Sequence, residues 1–157
     1  GSKKAINDYQ VGELIDHIDG NTICEADHLF ATRLWQNNSK VHFDINARED
    51  KKRLIYGGHI ISLVRALSFN GLENAQLIVG INSGTHANPA FAEDTIYCWS
   101  EVLDKIDLNV RNIAALRLRS VGTKEKNHNM RLKSDDGKYL PTIVLDFDYW
   151  VLVPKEL

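Results

Sequence analysis

Cysteine and proline are scarce in this 157-residue chain, with two of the first and three of the second. Cys24 and Cys98 stand far apart, which argues against a disulfide-stapled scaffold and fits reduced thiols in the cytoplasm. No C-x-x-C or His-x-x-x-His spacing occurs, so no metal site is expected. An excess of one charge is missing too: nineteen Lys and Arg against twenty-one Asp and Glu leave a net charge of -2. That balance gives no electrostatic reason to bind nucleic acid or an anionic membrane surface. The chain shows no signal-peptide pattern, no internal repeat and no low-complexity segment. Its longest apolar stretch falls short of the roughly 20 residues a membrane crossing needs.

What is present suits one soluble domain spanning residues 1–157, with Gly1-Ser2 read as the remainder of a cleaved tag. Hydrophobic residues make up 43% and charged residues 25%, an ordinary balance for a globular core of this size. The densest apolar segment runs from Tyr56 to Phe69. Ile60, Ile61, Leu63, Val64, Ala66, Leu67 and Phe69 cover most of a helical circumference, and Ser62, Arg65 and Ser68 form one narrow polar stripe. A helix of this kind must be surrounded by protein.

Before it, Glu13–Asp19 alternates weakly as a first strand. Thr22 and Glu25 fit a capping box, opening a helix with Ile23, Ala26, Phe30 and Leu34 on one face and an end near Gln36. The charged stretch Arg48–Arg53 reads as an exposed connection. After Gly71 the texture changes to strand: Ala75–Ile81, broken by Gly84 and Pro89; then Thr95–Leu103; then a third segment alternating about Ala114–Arg119. Lys124–Asp136 reads as a loop or long hairpin tip. In the last segment Ile143, Leu145, Phe147, Tyr149, Val151 and Val153 fall on one face, with Val144, Asp146, Asp148 and Trp150 on the other. A sheet wrapped round one central helix satisfies both patterns, which is an α+β hot-dog architecture.

Two segments carry candidate chemistry. In the loop Leu34–Asp44, His42 is the one side chain that titrates near neutrality, with Asn37 and Ser39 nearby. Gly57-Gly58 opens the buried helix, where backbone N–H groups favour an anion or a developing oxyanion; a tight turn feeding the helix is the plainer alternative. Tyr56 and His86 are candidates for lining a pocket, and Arg65 for satisfying buried carbonyls. His17, His28 and His128 are expected at the surface, and Trp99 and Trp150 in packing.

These segments resemble the MaoC-like hydratase branch of the hot-dog superfamily across essentially the whole chain. ATRLWQNNSKVHFD, IYGGHIISLVRALSFNGL, AFAEDTIYCWSEVLDK and VLDFDYWVLVPK are similar to the C-terminal half of the mesaconyl-CoA hydratases. The resemblance implies reversible addition of water to a branched, dicarboxylic enoyl thioester of coenzyme A, with no cofactor beyond the CoA of the substrate. In the MaoC-like branch the loop G-D-x-N-P-[LIV]-H supplies an Asp–His acid–base pair. His42 matches the histidine and Val41 the aliphatic residue before it. Asn37 stands at the aspartate, Ser39 at the asparagine and Lys40 at the proline.

An amide cannot exchange a proton at neutral pH. Either His42 works alone with Asn37 holding the water, or another carboxylate substitutes, Asp44 being nearest in sequence. The catalytic expectation is therefore His42 and Asn37, with Gly57, Gly58, Tyr56, Ser39 and His86 as oxyanion or substrate contacts. Which Lys and Arg meet the CoA phosphates is left open. Mesaconyl-type proteins carry two hot-dog halves in one chain, so pairing with a second half or with itself is expected. A non-catalytic partner half and an acyl-CoA thioesterase are the alternatives.

Overall fold

A computed structural model of the chain describes residues 3–75, 77–126 and 129–157. His128 and Gly1-Ser2 therefore lie outside the described residues. Five strands form one antiparallel sheet: β1 Leu14–Thr22, β2 Ile78–Thr85, β3 Thr95–Val110, β4 Ile113–Thr123 and β5 Ile143–Pro154. Their order is β1-β3-β4-β5-β2, so β2 crosses to the far edge beside β5 instead of pairing with its sequence neighbour. Helix α1 (Glu25–Leu34) follows β1, and helix α2 (Gly57–Leu67) packs on the sheet. The antiparallel sheet with a central helix is the hot-dog arrangement expected from the sequence.

The strands are longer than the sequence pattern suggested because pairing carries them beyond their buried parts. β3 and β4 continue as a projecting hairpin, where Ile106, Leu108, Val110 and Ile113 are exposed. The alternation of β5 holds from Leu145 to Val153 but slips at its start. Between Thr123↔Ile143 and Gly122↔Leu145 the register shifts, leaving Val144 as the extra residue of a bulge. Val144 thus joins Leu145 in the main core, and Ile143 turns to the opposite face. There it packs with Trp99 and Val121 in a second cluster covered by Met130, Leu132, Tyr139 and Leu140. The segment read as a polar tip is the lid of that cluster.

The main core joins Ile60 and Val64 of α2 to Ile96, Leu116, Leu118, Leu145, Phe147 and Val151 of the sheet. A Cβ at Gly122 would lie 2.8 Å from Val64 Cγ2, so glycine on β4 is what lets the helix come this close. Each such aliphatic side chain, fully buried, is worth about 1.5–3 kcal/mol. Contrary to the sequence reading, α2 is not enclosed all round: Ile60 and Val64 are buried, whereas Ser62 and Ala66 are exposed. The expected polar stripe is also redistributed, since Ser68 is fully buried.

The start of the chain departs further. Thr22 ends β1 and bonds Thr95 across the sheet (Oγ–Oγ 2.8 Å), so it caps nothing. Cys24 is the N-cap of α1, without a side-chain bond. The buried face of α1 is His28 and Thr32, while Phe30, Leu34 and Trp35 point outward at 61–69% exposure. No helix among the described residues is long and apolar enough to cross a membrane.

Candidate active site

The N-terminus of α2 faces a cavity of about 540 Å³. Its walls come from three stretches: Leu54–Gly58 with Ile60, the 86–90 loop after β2, and Asn37 and His42 from the loop after α1. Backbone bonds tie these stretches together. Leu54 donates its N–H to Val41 O (2.9 Å), Ile55 to Ala90 O (2.9 Å) and Ala87 to Val144 O (3.2 Å). Asn88 Nδ2 donates to Leu140 O (3.0 Å) and Ile143 O (2.7 Å), fixing the far wall to the start of β5.

His42 closes a 3-10 turn, Lys40–His42, which the sequence presented as loop. Its Nδ1 lies 2.8 Å from Leu54 O. A carbonyl only accepts, so Nδ1 carries a proton, and in the neutral ring the lone pair is on Nε2. Among the described residues Nε2 has no partner. The ring is flanked by Tyr56 (centroids 5.9 Å apart, 64°) and His28 (6.4 Å, 78°). A base held in one tautomer with a bare nitrogen is poised to take a proton.

Asn37 reaches the cavity wall with its Oδ1 accepting the N–H of Ser39 (2.9 Å), which leaves its NH2 group as the donor in hand. Ser39 itself is exposed and lies outside the cavity lining; its backbone orients Asn37. Asp44 is also elsewhere, accepting from Asn46 N–H (2.9 Å) as the cap of the next short turn. No carboxylate lines the cavity among the described residues, and His42, Tyr56 and His86 are its titratable groups.

Gly57 and Gly58 start α2 after the extended Tyr56. The first N–H groups of a helix lack intrahelical partners; those of His59 and Ile60 turn back to Tyr56 O (2.9 and 3.3 Å), and Gly57 and Gly58 remain. A Cβ on Gly57 would sit 2.5 Å from His86 Nε2, and one on Gly58 2.6 Å from the Tyr56 hydroxyl. Absence of both side chains is what lets the two rings lie against the helix end. Burial lowers the pKa of His86, favouring the neutral imidazole. The structure thus brings together Asn37, His42, Tyr56, Gly57, Gly58 and His86, and leaves out Ser39.

Two expected surface histidines are fully buried. His28 stands behind His42 and 6.3 Å from His59. Thr32 Oγ1 donates to His28 O (2.9 Å) and so accepts from His28 Nε2 (3.2 Å), while Nδ1 is buried without a partner. Burial, with His59 and His42 adding to it, brings the His28 pKa down to about 4. The i,i+4 spacing of His28 and Thr32 is the one sequence trace of this face.

His17 donates from Nδ1 to Asn70 O (2.6 Å) and receives Ser100 Oγ at Nε2 (2.8 Å). The chain continues through Ser120 (2.7 Å) and Tyr149 (2.8 Å) to Arg65, whose guanidinium donates to the Tyr149 hydroxyl (2.7 Å) and to Ala75 O (3.2 Å). Neither end permits the opposite direction, since a guanidinium only donates and a carbonyl only accepts. Arg65 does satisfy a buried carbonyl, as its sequence position suggested.

The chain is 60% identical over 148 residues, 94% of its length, to the mesaconyl-CoA hydratase of Cereibacter sphaeroides, of which it covers 43%. It is 53% identical over 160 residues to the β-methylmalyl-CoA dehydratase of Chloroflexus aurantiacus, covering 99% of this chain and 46% of that protein. A crystal structure of a MaoC domain protein from Chloroflexus aurantiacus superposes with a TM-score of 0.95 at 52% identity, over 100% of this chain and 46% of the other. The chain therefore spans about half the length of the relatives it matches. No protein-family model matches it. The similarity to the mesaconyl-CoA hydratases and to MaoC-like dehydratases, read first from four sequence stretches, holds across essentially the whole chain.

Proposed function

We propose that this hot-dog domain, related to half of a mesaconyl-CoA hydratase, hydrates the double bond of a branched, dicarboxylic enoyl-CoA and catalyses the reverse dehydration. The observation that carries this reading is the pairing of one free base with one free donor set. Among the described residues His42 Nε2, on a residue that lines the cavity, has no partner, and the Gly57 and Gly58 N–H groups have none at its helix end. With the thioester carbonyl on those N–H groups, charge that develops on oxygen as water adds is stabilised, an effect typically worth about 10²–10³ in rate. His42 takes the water proton as the water oxygen bonds the β-carbon. The His42 imidazolium returns that proton to the α-carbon as the enolate collapses, so one water adds in full and the base is regenerated. Asn37 holds the water or the carbonyl through its NH2 group. This chemistry needs no cofactor beyond the CoA of the substrate, and its two free thiols suit the reducing cytoplasm.

A thioesterase reading is weaker, because a carboxylate at the pocket is its usual requirement and none lines this cavity among the described residues. The partner reading has its own support. β2 is a sheet edge where Val79 and Ile81, with Leu77 just before them, are 53–65% exposed, and α1 with its C-cap turns Phe30, Leu34 and Trp35 outward. Bare apolar edges invite pairing, and the relatives' extra length is that of a second half. We infer that a second hot-dog half, or a second copy, covers this surface.

The decisive experiment follows enoyl-thioester absorbance with mesaconyl-CoA and a thiol reagent. Loss of absorbance without free thiol, reduced about 10²–10⁴-fold in His42→Ala, is the expected result. Equal rates in the variant would remove His42 from the mechanism. Release of free thiol would replace hydration with hydrolysis.

A further inference from the structure

Beside the main cavity lies a smaller one of about 230 Å³ that the chemistry above leaves unused. Its lining includes Lys51, Lys52 and Arg53 against a single carboxylate, Glu25, with Phe91 as the aromatic wall. The two cavities share their walls along the chain. Arg53 faces the small one and Leu54 the large one; Phe91 faces the small one and Ala90 the large one; and the Ile55–Ala90 bond stitches the seam.

Phe91 is ringed by three cations. Arg48 Cζ is 5.5 Å from its centroid, Lys52 Nζ 5.6 Å and Lys124 Nζ 5.9 Å. Most nearby charges are already answered: Arg48 by Asp50, Arg53 by Glu25 and Lys124 by Asp94, at 2.7–2.9 Å. The Lys51 ammonium bonds the neutral Asn46 side chain (3.2 Å), and the Lys52 ammonium makes no ion pair among the described residues, although Asp50 accepts the Lys52 backbone N–H (3.2 Å) and feels its charge. Two exposed ammonium groups beside an aromatic face are a recognition set for a phosphorylated, planar base.

We propose that this cavity seats the phosphorylated nucleotide end of a coenzyme A thioester, with adenine stacked on Phe91 and phosphate held by Lys51 and Lys52. The proposal rests on the acyl-CoA reading and names the residues that would anchor the far end of that substrate. Lys52 precedes Gly57 by five residues, so an extended connection reaches at most about 18 Å. That is within the compass of an extended pantetheine arm whose thioester lies at Gly57-Gly58. The main cavity then needs no cation of its own for the nucleotide, and none lines it among the described residues.

The test titrates adenosine 3′,5′-bisphosphate calorimetrically into the full chain and into K51E/K52E, F91A and the exposed-loop control K138E. Both lysines are exposed, so charge reversal does not threaten the fold. Binding weakened about tenfold or more in K51E/K52E, weakened in F91A and unchanged in K138E is expected. In parallel, the ratio of KM for a mesaconyl-CoA thioester to KM for the corresponding pantetheine thioester rises about tenfold in K51E/K52E. Bisphosphate binding that K51E/K52E leaves intact, or inorganic phosphate competing as well as the nucleotide, overturns the proposal. So does an equal change in both KM values. Turnover of neither thioester, together with bisphosphate binding that depends on Lys51 and Lys52, supports the nucleotide site and refutes the hydratase reading instead.

Discussion

The central helix joins two polar regions that treat their hydrogen-bonding groups in opposite ways. At its C-terminal end Arg65, Tyr149, Ser120, Ser100 and His17 form a chain in which each donor finds an acceptor, ending on the Asn70 carbonyl. At its N-terminal end the Gly57 and Gly58 N–H groups, His42 Nε2 and the Asn37 NH2 group have no partners among the described residues and stand beside a cavity. A buried polar group left unpaired costs about 1–3 kcal/mol; the groups at the cavity are only half-buried and carry less of that cost. A saturated network therefore secures the fold, and an unsaturated cluster is tolerated where a ligand completes it. The saturated end even fixes a protonation state. A second proton on His17 would turn the Ser100 and Ser120 hydroxyls toward Tyr149 and take from the Tyr149 O–H the acceptor it has in Ser120. Burial lowers the His17 pKa in the same sense.

Breaking one member of each region should separate activity from stability. His42→Ala is expected to lower kcat/KM about 10²–10⁴-fold. It should move the urea midpoint little, since its one bond, to Leu54 O, is worth about 1 kcal/mol. Arg65→Met is the mirror case: it strips donors from Tyr149 and Ala75 O, and about 3 kcal/mol of stability should disappear in urea unfolding. An Arg65→Met chain as stable as the parent would mean that the network is dispensable.

The next effect in size concerns pH. His28 has a pKa of about 4 in the fold because of burial, then of His59 and His42, against an ordinary value of 6.5. Its contribution is full above pH 6.5 and is lost as pH falls through that range toward 4, because the unfolded chain takes up the proton first. The loss is on the order of 2–3 kcal/mol. His17, His59 and His86 are lowered in the same direction, so the acid side should be broadly destabilising. His28→Gln should flatten the dependence of the unfolding midpoint between pH 7 and 4.5; an unchanged slope would assign it to the other three.

Gly57→Ala tests the unsaturated end more gently. The new methyl group would sit 2.5 Å from His86 Nε2, and the exposed imidazole has room to swing aside. The fold should survive while kcat/KM falls about ten- to a hundredfold through misplacement at the helix end. Unaltered kinetics would show that neither His86 nor the first N–H groups touch the substrate.

The same contrast explains what the sequence disclosed. Apolar periodicity exposed the sheet and the central helix, because burial of Leu145, Phe147 and Val151 obeys simple alternation. The His42 loop and Gly57-Gly58 were legible as candidates because a histidine in a polar loop and a glycine pair before an apolar helix are local signals, and the structure sets both against one cavity. The saturated network was hidden: His17 and Ser100 are 83 residues apart, and Ser120 looks like any polar residue of a strand. His28 was misread for the same reason, since polar residues are expected outside unless a distant partner exists. The all-round apolar α2 correctly signalled burial, but the exposed Ala66 and half-exposed Leu63 show that this sheet alone does not supply all of it.

The smallest effect is expected at Thr22, which the sequence presented as an N-cap. Loss of a Thr cap generally costs about 1 kcal/mol. Here the hydroxyl bonds Thr95 on the exposed surface of the β1–β3 pair, and α1 begins at Cys24 with no side-chain bond. Thr22→Ala should therefore cost only a few tenths of a kcal/mol, the scale of an exposed cross-strand pair, and Thr95→Ala should remove the same increment non-additively. Hydrogen exchange in the first turn of α1 separates the alternatives. A cap would protect those amides, and its loss would fray the turn that carries His28 inward. A cross-strand pair leaves them unchanged, because Glu25 and Asp27 already favour that helix end through its dipole.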